Sequence, residues 1–359
     1  MTQELARRSI SENLSRWGKV LLGVILAAFL LGYPFVFTGP FPQHLMIRIF
    51  LFAALAQAWN ILGGYCGQIS LGHAVFFGIG AYTSTILLIY WHLSPWLGMV
   101  VGVLLSLVAT LLIGYPTFRL AGHYFAIATI AVGEIARVLV TNWPFAGGAV
   151  GLYVPLLPEG LRTFEFHTTK VPYYYISLLL LLAVTTTTWF LERSRAGYYF
   201  RAIKADPDAA RSLGIPIHRY KLLALAISGA FTAMGGTFYA QYVLYIDPES
   251  VLPLMLSVII CLVAVLGGVG TLWGPILGAL VLIPLSEGTR VYLAGMGGAG
   301  RAFDLIVYGA LIVLMSVFEP TGLIGLWRRI QRALEVRVSY ARLAAARRGE
   351  QTVRGPGSQ

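Results

Sequence analysis

"RAIKADPDAARSLGIP", residues 201–216, is a polar stretch set between two long apolar runs. The segment around it, 192–221, gathers Glu192, Arg193, Arg195, Arg201, Lys204, Asp206, Asp208, Arg211, Arg219 and Lys221. Only 11% of the chain is charged and 57% is hydrophobic, with a mean hydropathy of +0.75. Soluble domains carry about 45–50% apolar residues, and a water-soluble fold of 359 residues would need far more polar surface. The composition predicts an all-α, polytopic integral membrane protein, with this stretch as a loop between spans.

Within that loop, residues 206–216 read as a short, well-punctuated helix. Asp206 can cap the first free N–H groups and Pro207 suits the first helical position. Asp208 adds negative charge at the positive end of the helix dipole. Gly214 can take the left-handed conformation that ends the helix, and Pro216 prevents its resumption. Such a helix is too short to span a bilayer and too polar to bury in lipid. It is marginal alone in water. Two readings stand: an ordinary solvated loop, or a docking element for a cytoplasmic partner.

Outward from there, the need for about 20 residues per crossing picks out segments near 18–37, 44–62, 67–90, 94–115, 123–142, 173–191, 221–243, 253–267, 274–290 and 303–318. The expected organisation is an N-terminal tail 1–17, a transmembrane domain 18–325 with about 8–10 helices, and a basic tail 326–359. The domain includes the inner loop 192–221 and an outer loop 142–172. Arg7, Arg8, Arg16 and Lys19 before the first apolar run resemble a signal peptide, but no small-residue cleavage site follows, so the run reads as a retained span. With ten spans and a cytoplasmic N-terminus, the inner segments hold twenty Lys and Arg residues and the outer ones five, Arg48, Arg162, Lys170, Arg290 and Arg301. That satisfies the positive-inside bias, with both termini cytoplasmic; eight spans with re-entrant pieces give much the same tally. The same distribution argues against nucleic acid as the reason for a net charge of +11.

Two regions break helical regularity, "GGYCGQISLGHAVFFGIGAY" (63–82) and "GGVGTLWGPILG" (267–278), one in each half of the chain. Paired glycine-interrupted segments point to broken helices lining a transport path; close helix packing through small residues is the alternative. Polar residues at membrane depth mark that path as a hypothesis: Gln68, Ser70 and His73 in the first broken region, and Glu134. A charge at mid-bilayer costs about 2.5–3.5 kcal/mol on insertion scales. Arg137, three residues on, shares a helical face with Glu134, so a structural ion pair competes with a role in gating or in binding a substrate amine. His73 reads either as a helix–helix hydrogen-bonding residue or as a ligand. Cys66 and Cys261 read as buried free thiols. No phosphate loop, metal-ligand spacing or nucleophile–base arrangement stands out, so any driving energy must come from another polypeptide or an ion gradient. The tail after Leu326 carries eight arginines, with Trp327, Ile330, Leu334, Val338, Ala341 and Ala345 at near-helical spacing. It reads as a basic amphipathic helix on membrane lipids, with contact to a partner protein as the alternative.

"DAARSLGI" (208–215) resembles the acidic-Ala-Ala-xxx-Gly loop of ABC importer permeases. "GQISLGHAVFFGIGAY" (67–82), "HYFAIATIAVGEIAR" (123–137), "AIKADPDAARSLGIPIHRYKLLALAISGAFTAMGGTFYA" (202–240) and "GGVGTLWGPILGAL" (267–280) look like the longer of the two paired permeases of branched-chain amino-acid ABC importers. A Thr-Gly-Gly-x-Asn-Gly-like pattern of that family is replaced by "AGGAVGL" (146–152), with Ala146 for Thr and Val150 for Asn. The resemblance implies a non-enzymatic permease subunit in the plasma (inner) membrane of a bacterial-type cell. It implies coupling through Asp206, Asp208, Ala209, Ala210 and Gly214 to two ABC ATPase subunits. ATP and Mg would be bound by those subunits, leaving no cofactor in this chain. A second permease subunit in a heterodimer and an extracytoplasmic substrate-binding protein are the other implied partners, the latter with the outer loop as one place to dock. The alternatives are an ion-coupled secondary transporter and an ABC permease for amides or urea.

Overall fold

The computed structural model describes residues 21–293 apart from 22, 26 and 121, together with 309–310, 322–325 and 329. An apolar helical stretch, Gly23–Val36, leads to helix α1 (Pro40–Asn60), which opens on proline, where a missing N–H costs nothing. α1 runs into a single π turn, Ile61–Tyr65. There follow α2 (His73–Trp91), α3 (Pro95–Thr117), α4 (His123–Thr141) and α5 (Val171–Arg193). Two short helices, α6 (Arg195–Ala205) and α7 (Pro207–Ser212), precede the long α8 (Ile217–Val243). A turn of helix, α9 (Pro248–Val251), then α10 (Leu254–Gly267) and α11 (Gly274–Leu293) complete the described chain. Among the described residues, seven segments are long and apolar enough to cross a membrane. The expected span 303–318 and the tail 326–359 lie outside the described residues, apart from a few isolated positions, as does the N-terminal tail.

α1 is the hub. Of its most apolar window 83% is buried, against 11% for α4. It packs against α5, α8, α10 and α11, while α2, α3 and α8 form a second tight group. The α2–α8 crossing is made by small residues. A side chain on Gly80 would strike the Ala233 carbonyl, and one on Gly236 the Phe77 carbonyl. Thr237 Oγ1 donates to the Gly80 carbonyl across the seam at 3.0 Å. Close backbone approach of this kind supplies packing where lipid offers no hydrophobic drive.

Three expectations are corrected. The span expected at 67–90 begins only at His73, because 67–72 is non-helical and tied to its neighbours by other bonds. The loop 192–221 holds two helices instead of one; α6 is amphipathic and buries Phe200 and Ile203, at 1% exposure each. The all-α expectation holds, the one strand pairing among the described residues being β1 (Leu152–Tyr153) antiparallel with β2 (Tyr245–Ile246). Arg48 does not lie in an outer loop but inside α1, where its guanidinium meets Glu287 of α11 at 2.8 Å.

The Gly236→Ala variant is expected to part α2 from α8 and to cost about 1–3 kcal/mol, the scale of an overpacked core. It reads as a lowered midpoint of detergent-induced unfolding; an unchanged midpoint would mean that the two backbones have room to separate.

Candidate coupling helix, broken span and charged triad

The hydrogen bonds sort the inter-helix segments into two ends. At one end Lys204 Nζ of α6 reaches the Gly64 carbonyl at 2.7 Å, Asn60 bonds the 270–271 turn, and Lys221 lies over the Phe118 ring. At the other, Tyr90 bonds Phe145, Ser94 and Trp96 bond the carbonyls of Arg162 and Leu161, and Val154 bonds Leu244. The charged loop and both glycine-rich breaks therefore share one end, opposite the 142–172 loop.

α7 is capped at both termini. Asp206 is extended, and its Oδ1 accepts the N–H groups of Asp208 (2.8 Å) and Ala209 (3.1 Å). Pro207 follows at the first helical position. At the far end Gly214 has φ +80°, donates to the Arg211 carbonyl at 2.9 Å, and lets Ile215 donate to the Ala210 carbonyl at 3.1 Å. That pair of bonds is a Schellman stop, which satisfies carbonyls that would otherwise be orphaned. Ala210 is buried and seats the helix, while Asp208, Ala209 and Arg211 are exposed and Leu213 is 80% exposed. A six-residue helix with both ends closed thus presents one face to the exterior.

The first glycine-rich region is a buried, non-helical turn that joins two membrane-length helices, α1 and α2. After the π turn, Gly67 takes φ +73° and the chain continues non-helically to Gly72. This segment lies beside span interiors, so its polar backbone needs partners. Trp59 Nε1 donates to the Ser70 carbonyl at 2.7 Å. Leu71 N–H is received by Thr129 Oγ1 of α4 at 3.0 Å, Gly72 N–H by Ser70 Oγ at 3.3 Å, and Ala74 N–H by Ser257 Oγ of α10 at 2.8 Å. His73 is fully buried and shares a 2.7 Å hydrogen bond with Ser228 Oγ of α8. Gln68 is half-buried, its amide nitrogen 3.5 Å from the Cys66 carbonyl. The second glycine-rich stretch closes α10 onto α11 in a tight turn: a side chain on Gly278 would meet the Val263 carbonyl.

Glu134 stands apart from Gln68, Ser70 and His73. It lies on the exposed side of α4, its side chain 52% accessible, and forms an ion pair with Arg137 as the helical spacing predicts. The structure adds a third member that sequence reasoning missed. Glu249 of α9 pairs with the same guanidinium from 112 residues away. Nothing local in "DPES" marks Glu249 for Arg137; only the return of α8 to the far end brings it there. The triad holds two carboxylates for one guanidinium. Cys66 is buried and Cys261 half-buried, both as free thiols.

The 142–172 loop is folded, not slack. Phe164 and Glu165 are fully buried, with the Phe164 ring 4.5 Å from that of Trp96. Glu159 accepts from Thr168 Oγ1 at 2.8 Å and from the N–H groups of His167 and Thr168, and the Thr168 bonds hold its carboxyl below the ordinary carboxylate range.

Among the described residues, seven membrane-length helices, a buried non-helical turn between two of them and a capped polar helix at one end define a multi-pass membrane protein of the permease class. Residues 41–316 match the family described as branched-chain amino acid transport system, permease component. The chain is 30% identical over 301 residues to the high-affinity branched-chain amino acid transport system permease protein LivM of Escherichia coli K12, covering 77% of this chain and 68% of that protein. It is 30% identical over 300 residues to LivM of Salmonella typhimurium, with the same coverage. The high-affinity branched-chain amino acid transport system permease protein LivH of Escherichia coli K12 is 24% identical over 289 residues, covering 76% of this chain and 91% of that protein. No solved structure matches the chain. This protein belongs to the branched-chain amino acid transport system permease family.

Two measurements check this geometry. Arg137→Gln leaves two carboxylates unpaired on a membrane span and should lower the yield of folded protein, and adding Glu134→Gln and Glu249→Gln should recover it; equal yields for all variants would mean the triad has no structural weight. A carboxyl held below its usual range stabilises the loop above its unfolded pKa, about 4.3, and loses that contribution as pH falls through the lower folded value. Amide exchange at 157–168 should therefore quicken only below about pH 4.3, and Glu159→Gln should abolish that pH dependence.

Proposed function

We propose that this chain is the membrane-spanning subunit of an ATP-driven importer of branched-chain amino acids in the inner (plasma) membrane, with both termini cytoplasmic. α7 sits in a cleft of an ATPase subunit; a second permease completes the path; an extracytoplasmic binding protein delivers substrate. The observation that carries this reading is the doubly capped helix with an outward face, set in the most basic inter-span segment, at the same end as the turn between α1 and α2. A helix of this length gains little stability from its own hydrogen bonds. Closing both ends makes it stiff enough to carry force.

The other assignments follow from chemistry. ATP and Mg belong to the partner ATPases, because no phosphate loop occurs in this chain. Glu134 on a bared span face is costly against lipid, so that face of α4 looks onto the second permease and the path between them. Gln68, Ser70 and His73 form the packed hinge between α1 and α2 beside that path. On the outer loop Val150, Tyr153, Leu156 and Leu161 are each at least 70% exposed on a folded frame, the pattern of an interaction surface, and the binding protein docks there.

The Asp208→Lys/Ala209→Trp variant should insert in the membrane at normal yield but lose its ATPases on co-purification, and Gly214→Pro should do the same because proline cannot take φ +80°. ATPases retained at wild-type stoichiometry by both would rule out α7 as their seat.

A further inference from the structure

Three segments far apart in sequence meet at one point beneath α1. Asn60, the last residue of α1, holds the 270–271 turn with both ends of its amide: Oδ1 accepts Gly270 N–H at 2.8 Å and Nδ2 donates to the Thr271 carbonyl at 2.9 Å. The π turn then brings Gly64 against the same turn, so closely that a side chain on Gly64 would come within 2.6 Å of Gly270 N. The third segment is α6, which supplies Lys204. Its Nζ donates to the Gly64 carbonyl at 2.7 Å. Its stem lies along the start of the non-helical stretch, where a side chain on Gly67 would sit 2.9 Å from Lys204 Cγ.

The chemistry of this contact is specific. The last carbonyls of a helix have no intrahelical donor and carry the negative end of its dipole. An ammonium on a long stem meets both needs at once, as a point charge with three donors. Lys204 also stands two residues before Asp206, the cap of α7, so the coupling helix and the ammonium share a short piece of backbone. A displacement of α7 therefore reaches the end of α1 through one charged hydrogen bond. It need not travel only through tilting of α5 and α8.

We propose that Lys204 is the transmission residue of this permease: its bond to Gly64 ties movement of α7 to the knot of Asn60, Gly64 and Gly270, and so to the turn between α1 and α2. The proposal rests on α7 being the seat of the ATPase. Lys204 is a positioning residue, with no contact to substrate required of it.

The test uses the complete transporter, with its ATPases, second permease and binding protein, reconstituted in liposomes and fed radiolabelled leucine. Lys204→Met keeps the apolar stem and removes charge and donor. It is expected to co-purify with the ATPases and to hydrolyse ATP, while leucine uptake per ATP falls about tenfold, the scale of one lost charge-assisted hydrogen bond. Lys204→Arg, which keeps charge and donors, should restore most of the loss. Wild-type uptake per ATP in Lys204→Met overturns the proposal, as does equal loss in Lys204→Arg and Lys204→Met, which would mark a merely steric role. Should Lys204→Met fail to assemble, Lys204→Gln is read in the same way, since it keeps a donor without the charge. The α7 variants separate this result from the underlying reading. If they retain ATPase and transport, the docking assignment fails; if they uncouple while Lys204→Met transports normally, transmission through Lys204 alone fails.

Discussion

A non-helical segment buried among membrane spans survives only if every free backbone group finds a partner, because lipid offers none. Here the constraint falls on residues 66–74, and the rest of the bundle is arranged to meet it. Thr129 of α4, Ser257 of α10, Ser228 of α8 and Trp59 of α1 each spend a polar atom on this one stretch or on the His73 ring beside it. Four helices are thereby tied to a single break. A shift of the break would disturb all of them together, which suits a device that must alternate between discrete arrangements.

The break and the polar helices lie at the same end, and this gives the fold its mechanical direction. α7 is held rigid by Asp206 at its start and Gly214 at its stop, and is seated by Ala210. α6 links it to the bundle through Phe200 and Ile203. By contrast the Arg211–Asp208 pair on the outer face of α7 is exposed and contributes little. The firm attachments are apolar burial and bonds to backbone, and the exposed charges are left for a partner to read.

α4 is the exception in an otherwise well-packed bundle. It is short of neighbours, yet carries Glu134 and Arg137 in a span. The third charge, Glu249, comes from the turn after α8, so the triad also ties α4 to the far end of the molecule. A helix held by ionic contacts on one side and by Thr129 on the other can present its bare face to a second subunit without coming loose from its own.

Much of this was legible before any coordinates. Long apolar runs set the class, since a chain with 11% charge must bury its spans in lipid. The residues 206–216 announced a capped helix, because capping depends on side chains within three or four positions of the helix end. The i,i+3 spacing of Glu134 and Arg137 announced their pairing for the same local reason. Tertiary structure alone decided the rest. That helix α2 starts at His73 and not near 67 depends on partners from α1, α4 and α10. That Glu249 completes the triad depends on the path of α8. That Lys204 and two glycine-rich stretches 200 residues apart share one knot depends on how α1 and α10 pack. Local sequence encodes bonds between neighbours along the chain; contacts between distant segments exist only once the helices have packed.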